Sequence, residues 1–95
     1  MTTLYGQLST DGNPTINQNA YHSNRQSKGN YQVQFDSGTF KNEPSICLTL
    51  VNDGGGSTGK TIVVTSADAS QFTCAVQNNN GDATDFAFNF IAVGA

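Results

Sequence analysis

Charge is the scarcest property of this sequence. Only 12% of its 95 residues are charged, and four lysines and arginines stand against seven acidic residues, for a net charge of −3. Nucleic-acid binding depends on clustered cations that contact phosphates, so the composition argues against a nucleic-acid partner. Attraction to an anionic membrane surface is disfavoured for the same reason.

Long apolar runs are also missing. No stretch approaches the roughly 18 residues that a membrane-spanning helix needs, so we expect no membrane insertion. The first six residues lack the basic start and apolar centre of a secretory signal peptide. Either the protein functions without classical export or a leader precedes these residues. The location stays open between a virion or other extracellular particle and the cytoplasm.

Residues for metal binding and catalysis are few. His22 is the only histidine, which leaves no zinc cluster and no Cys–His pair at close range. Asn80, Gly81 and Asp82 with Asp85 offer oxygens to calcium but lack EF-hand spacing. No pair of carboxylates marks a glycosidase. We therefore predict no enzyme activity, no metal and no cofactor.

The two cysteines do not form a disulfide scaffold. Cys74 is in phase with the apolar residues of its predicted strand and points inward. Cys47 is out of phase with the apolar residues of its own predicted strand and points outward. We predict that both remain unbonded.

What the sequence has in quantity is alternation of apolar and polar residues. Phe86, Phe88 and Phe90 occupy every second position, which places them on one face of an extended strand. Three such side chains need a core, so this segment is predicted to be the central strand of an all-β domain. The opposite face is apolar near its end and predicts a second buried surface, such as another subunit; it consists of Ala87, Asn89, Ile91 and Val93.

Other segments repeat the two-residue period. Strands are predicted over residues 3–8, 31–35, 46–51, 61–65 and 72–76, with one irregular strand over 15–24 and Phe40 folding back onto the core. Turn signals follow at residues 11–14, 26–29 and 78–82, where Asn80-Gly81 suits a hairpin. Strands of this length with frequent turns indicate an antiparallel sandwich or barrel. We predict one domain over residues 1–95, a single antiparallel β-sandwich of about six to seven strands.

Residues 54–61 match the phosphate-binding pattern G-x-x-x-x-G-K-[ST] in full. A P-loop needs a helix at its Lys-Thr end, because the helix N-terminus completes the phosphate cradle. The following Ile62-Val63-Val64 favours a strand instead. We interpret the match as a glycine-rich hairpin loop and predict no nucleotide binding.

The segment from Tyr21 to Arg25 combines an aromatic ring, a planar bidentate donor and several hydrogen-bonding side chains. Sugar recognition uses this mixture, and a solvated edge strand equally accounts for it. The candidate ligand-binding residues are Tyr21, His22, Arg25, Asp53, Asn79 and Asp82.

A family pattern runs along most of the chain. Its elements are Leu4-Tyr5-Gly6-Gln7-Leu8 with Asp11-Gly12, Gly29-Asn30-Tyr31-Gln32-Val33-Gln34-Phe35, Pro44-Ser45-Ile46, Phe72-Thr73 and the closing Phe88-Asn89-Phe90-Ile91-Ala92-Val93-Gly94. This order resembles small β-sandwich domains at the tips of phage tail fibres, and it is similar to the H-type lectins, the snail-agglutinin and discoidin C-terminal group. Those lectins end close to W-I-A-x-G, and Phe90 stands here where they carry Trp.

The resemblance implies a homotrimeric sandwich that binds carbohydrate near its subunit interfaces. Two hypotheses follow. The first is a lectin-like module that recognises cell-surface glycans, as a tail-fibre or adhesin receptor-binding domain. The second is a structural trimerisation, capping or protein-interaction domain without a sugar site, which the absence of Trp and the apolar residues Val51, Ile91 and Val93 favour.

Overall fold

The described residues form eight β-strands and no helix. A computed structural model describes residues 1–17, 20–51 and 59–95. Within these ranges no helix is long and apolar enough to span a membrane. The strands are β1 (Thr2–Leu8), β2 (Pro14–Asn17), β3 (Tyr21–Ser27), β4 (Asn30–Phe35), β5 (Ser45–Leu50), β6 (Thr61–Ala67), β7 (Gln71–Gln77) and β8 (Phe88–Gly94).

The strands build two four-stranded sheets. Sheet A has the order β2-β1-β8-β5 and sheet B the order β3-β4-β7-β6, and every neighbouring pair is antiparallel. The predicted all-β sandwich is confirmed, with eight strands rather than six or seven. The additional strand lies within residues 15–24, for which we predicted a single irregular strand. That prediction is wrong, because these residues contain the end of β2, in sheet A, and the start of β3, in sheet B.

Strand β8 is central, as its phenylalanines predict. It pairs with β1 from Thr2 opposite Gly94 to Leu8 opposite Phe88, and with β5 along its other edge. Phe88 and Phe90 are completely or almost completely buried, and Phe86, just before the strand, is 6% exposed. A seven-residue strand that is paired along both edges and buried on one face holds sheet A together.

Aromatic rings join the two sheets across the core. Phe90 of sheet A packs edge-on against Tyr21 and Phe72 of sheet B, with ring centroids 5.0 and 5.3 Å apart. Phe88 packs against Tyr31 at 5.3 Å. The predicted inward face of β4 is confirmed, as is the burial of Phe40.

Neither cysteine is bonded, as predicted. The Cys74 side chain is buried in the core and Cys47 lies exposed on β5. Burial raises the pKa of the Cys74 thiol to about 12, so it stays protonated at neutral pH.

Two predicted hairpins are instead crossings between the sheets. Strands β5 and β6 lie in different sheets, and so do β7 and β8. After β7 the chain does reverse at residues 78–82, where Asn78 N–H donates to the Asp82 carbonyl at 2.9 Å and Gly81 takes a positive φ of 85°. One bridge, Gln77 to Ala83, closes this turn before the chain moves to sheet A. Turn residues specify the reversal but not the sheet of the next strand.

Antiparallel pairing also separates the connections into two groups. Those that follow odd-numbered strands lie at one end of the sandwich, which we call the top, and those that follow even-numbered strands lie at the other, the bottom. Close packing confirms the top group: Gly12 meets the backbone of Asn24 and Arg25, and Gly29 meets that of Val76 and Thr84.

We expect Gly6→Ala to destabilise the fold by about 1–3 kcal/mol, the usual cost of an overpacked core. A Cβ at this inward position of β1 would lie 2.6 Å from a ring carbon of Phe90 and against the Tyr21 hydroxyl. Urea denaturation measures the change. Thr3→Ala, at an exposed position of the same strand, is the control and should change stability by far less; equal losses for the two variants would contradict the packing described here.

Candidate functional site

The structure describes five of the six residues that the sequence singled out, and it separates them. Arg25, Asn79 and Asp82 lie at or near the top. His22 lies near the bottom, Tyr21 lies in the core, and Asp53 is outside the described residues.

Tyr21 does not offer its ring to a ligand. It is 2% exposed, it packs edge-on against Phe90, and its hydroxyl donates to the Ile16 carbonyl. Burial raises the pKa of this hydroxyl. Tyr21 was a candidate ligand-binding residue, but its ring presents no open face to a sugar because it belongs to the contact between the sheets.

His22 and Arg25 point to different surfaces. They are three positions apart on β3, and side chains alternate along a strand, so the two lie on opposite faces of sheet B. The His22 ring is 84% exposed, with Nε2 3.9 Å from a carboxylate oxygen of Asp36 after β4. One small ligand does not contact both residues. Strand β3 is an edge strand, as one of the two interpretations of this segment predicted.

Asp85 forms the centre of a polar cluster at the top, and Arg25 is its charged partner. The Arg25 Nε donates to both carboxylate oxygens of Asp85 at 3.0 Å. The Gly29 N–H donates to Oδ1 of the same carboxylate at 2.7 Å. The Tyr31 hydroxyl donates to the Thr10 carbonyl at 2.8 Å and lies 3.3 Å from Oδ1. These contacts join β3, the β3–β4 turn, the β1–β2 turn and the segment before β8.

The cluster fixes the charge state of its members. The hydrogen bond from Arg25 lowers the pKa of Asp85 and raises that of the guanidinium. Burial, together with the nearby Asp85 charge, raises the pKa of Tyr31 to about 12. At neutral pH Asp85 is therefore ionised, and Tyr31 is a protonated hydrogen-bond donor.

Sequence reasoning missed this role of Asp85. It considered Asp85 only as a possible oxygen donor to calcium and predicted no metal, whereas the carboxylate is bonded to Arg25, 60 positions away in sequence. No local pattern marks a contact over such a distance. Within the described ranges, no group of three His, Cys, Asp or Glu side chains is arranged to hold a metal ion.

The connections at the top carry further polar side chains. Asn78 Oδ1 accepts from the backbone of Asn80 and Asp82 at 2.9 and 3.1 Å and shapes the turn that carries Asn79. The Lys60 ammonium lies 5.0 Å from the Phe86 ring centroid, within cation–π range.

Thr61 begins strand β6, as predicted. The Lys-Thr end of the glycine-rich segment therefore leads into a strand and not into a helix. Residues 54–58 of this segment lie outside the described part of the chain.

A second surface is the outer face of sheet A, which we call face A. Its central row is Tyr5, Ile91 and Cys47, which are paired across β1, β8 and β5. Tyr5 is 48% exposed and Ile91 46%, and together with Ile16 they line a shallow concavity of about 360 Å³. The rows on either side carry no charged side chain; they are Gln7, Asn89 and Thr49, and Thr3, Val93 and Ser45.

Acid should remove the contribution of Asp85 to stability. Because its folded-state pKa is lowered, the ionised carboxylate stabilises the fold fully above the unfolded-state pKa of about 3.9, and this stabilisation is lost as pH falls through the folded-state value. In urea denaturation, we expect wild type to exceed Asp85→Asn in stability by a constant amount between pH 5 and 8, and by progressively less towards pH 2. Asp82→Asn is the control at an exposed turn. A pH-independent difference for Asp85→Asn would contradict this assignment.

Comparisons with protein-family models, with curated proteins and with solved structures find no match to this chain.

Proposed function

We propose that this protein is a non-catalytic carbohydrate-binding domain that recognises cell-surface glycans with the top of its sandwich. The observation that carries the proposal is the Arg25–Asp85 cluster, which ties three connections to a rigid core through Tyr31 and Gly29. Loops held on a rigid scaffold present polar groups without a large ordering cost on binding, and recognition sites are commonly built in this way.

The chemistry of the top suits a neutral, hydroxyl-rich ligand. Amide, carboxylate and ammonium groups of Asn79, Asp82 and Lys60 supply both donors and acceptors. The scarcity of charge elsewhere gives no preference for a polyanion. No ring at the top is open for stacking among the described residues, since Phe86 is buried and lies beneath Lys60. We therefore expect weak binding per site and a gain from several copies acting together.

Glycan-array screening followed by titration of the best glycan tests the proposal. We expect Asn79→Ala and Asp82→Ala each to weaken binding by about 2- to 10-fold, the effect of one lost hydrogen bond. His22→Ala, at the opposite end, is the matched control and should leave the affinity unchanged. An array without a hit at high protein concentration, or equal losses for all three variants, would contradict a sugar site at the top.

Self-assembly through face A is a second candidate function. The observation in its favour is a sheet face that carries half-exposed Tyr5 and Ile91 and no charged side chain. Apolar patches of this kind on a small domain are typical of interaction surfaces. A trimer that presents three tops in one direction would also serve a tail-fibre or adhesin module, so the two functions are compatible.

We expect Ile91→Lys to dissociate an assembly held by face A, since the lysine would be desolvated without a partner. Size-exclusion chromatography with light scattering gives the mass, and far-UV circular dichroism checks the fold. Val63→Lys, at a 54% exposed position of sheet B, is the control. An Ile91→Lys variant that stays assembled, or a wild-type monomer, rules out face A as the interface.

A further inference from the structure

The edges of the two sheets differ in how they are protected from pairing with another strand. Sheet edges carry unpaired backbone groups, and proteins block them with charge, proline, bulges or short strands. Strand β2 has four residues and begins at Pro14. Strand β3 carries Arg25 and has a bulge, and β6 also has a bulge, between Val64 and Ser66.

Strand β5 has none of these protections. It reads Ser-Ile-Cys-Leu-Thr-Leu, and its six residues pair with β8 in unbroken register. Among the described residues β8 is its only ladder partner, so the other edge of β5 is unpaired. Of the four edge strands, β5 alone is regular, uncharged and free of proline.

The core is also least covered beside this edge. Most inward apolar side chains of the interior strands are buried, whereas Ile46, Leu48 and Leu50 of β5, like Ile62 of β6, are only partly buried. A concavity of about 350 Å³ opens between β5 and β6, lined by apolar Pro44, Ile46, Val64 and Ala67 together with Glu43 and Ser45. An additional strand placed here would gain both backbone hydrogen bonds and apolar contacts.

We propose that the occupant is a second copy of this chain, and that two β5 strands pair antiparallel about a two-fold axis at Leu48. In this register Leu48 faces its own copy, Ile46 faces Leu50 of the second copy, and Cys47 faces its Thr49. Apolar side chains then meet on the inner face and small uncharged ones on the outer face. A shift of the register by one residue would bring the inner face of one strand beside the outer face of the other, so apolar side chains would face polar ones.

Charge agrees with this self-pairing. No like charges face each other along β5, although each copy carries a net charge of −3. A two-fold contact also uses the exposed edges of both copies, so the assembly closes as a dimer. The dimer is independent of the sugar site, and it is an alternative to assembly through face A, which includes Cys47 and Thr49 of the same strand.

Cysteine cross-linking tests the register directly. The Cα atoms of residues that face each other across two antiparallel strands lie about 4.5–5.5 Å apart, which is within the Cα separation found in disulfides. We expect Thr49→Cys, with Cys47 retained, to form a covalent dimer under mild oxidation, as seen by non-reducing electrophoresis. Ser45→Cys is the matched control, because Ser45 faces residue 51 in this register. Ile91→Cys combined with Cys47→Ser, which removes the thiol paired with position 91 in the same chain, reports on a contact through face A instead.

Light scattering supplies the second measurement. We expect a wild-type dimer, and a monomer for Thr49→Lys, whose exposed side chain adds a charge to the edge without entering the core. Val63→Lys on β6 should remain dimeric. A wild-type monomer or trimer, a Thr49→Cys variant that cross-links no better than Ser45→Cys, or a dimer that survives Thr49→Lys would overturn the proposal. Cross-linking by the double variant Cys47→Ser, Ile91→Cys, in the absence of cross-linking by Thr49→Cys, would assign the contact to face A.

Discussion

The packing of β8 against sheet B is the contact on which the rest of the structure depends. Phe90 lies between Tyr21 and Phe72, and Phe88 lies against Tyr31, so two side chains of one strand reach three strands of the other sheet. A 95-residue chain has only a small core, and buried aromatic rings supply a large share of its apolar area. The same strand also joins β1 to β5. Its loss would separate the sheets and divide sheet A.

Tyr31 connects this core to the candidate site. Its ring is fully buried against Phe88, while its hydroxyl reaches the Thr10 carbonyl and the Asp85 carboxylate at the top. Stability and site geometry are therefore not independent in this molecule. A substitution in the aromatic core is expected to change the position of Asp85, and with it that of Arg25, without any contact to a ligand.

The sequence was most informative where side chains alternate without interruption. The period of two located most strands and the inward positions of Phe88, Val33 and Cys74, because one face of each strand is buried. It failed at residues 15–24, since one buried tyrosine among polar neighbours shows no period. It also did not give the sheet to which β6 and β8 belong, because turn chemistry is local and the order of strands is not.

The candidate site was harder to predict than the fold. Arg25 was identified by its chemical type, but its partner Asp85 is distant in sequence and became a neighbour only through the pairing of whole strands. Tyr21 was named for its aromatic ring, and composition does not tell a buried ring from an exposed one. His22 was grouped with Arg25 by proximity in sequence, although alternation along β3 places the two on opposite faces.

The central position of β8 also has a consequence for the order in which the domain is built during synthesis. All four strands of sheet B are complete once residue 77 has been made, whereas sheet A lacks its middle strand until residue 94. During that interval β5 lacks its ladder partner β8, and the rings of Tyr31 and Phe72 lack Phe88 and Phe90, against which they pack. Pairings between residues so far apart form slowly, and exposed apolar strands favour aggregation. A nascent chain of this protein is therefore most vulnerable just before its last strand emerges.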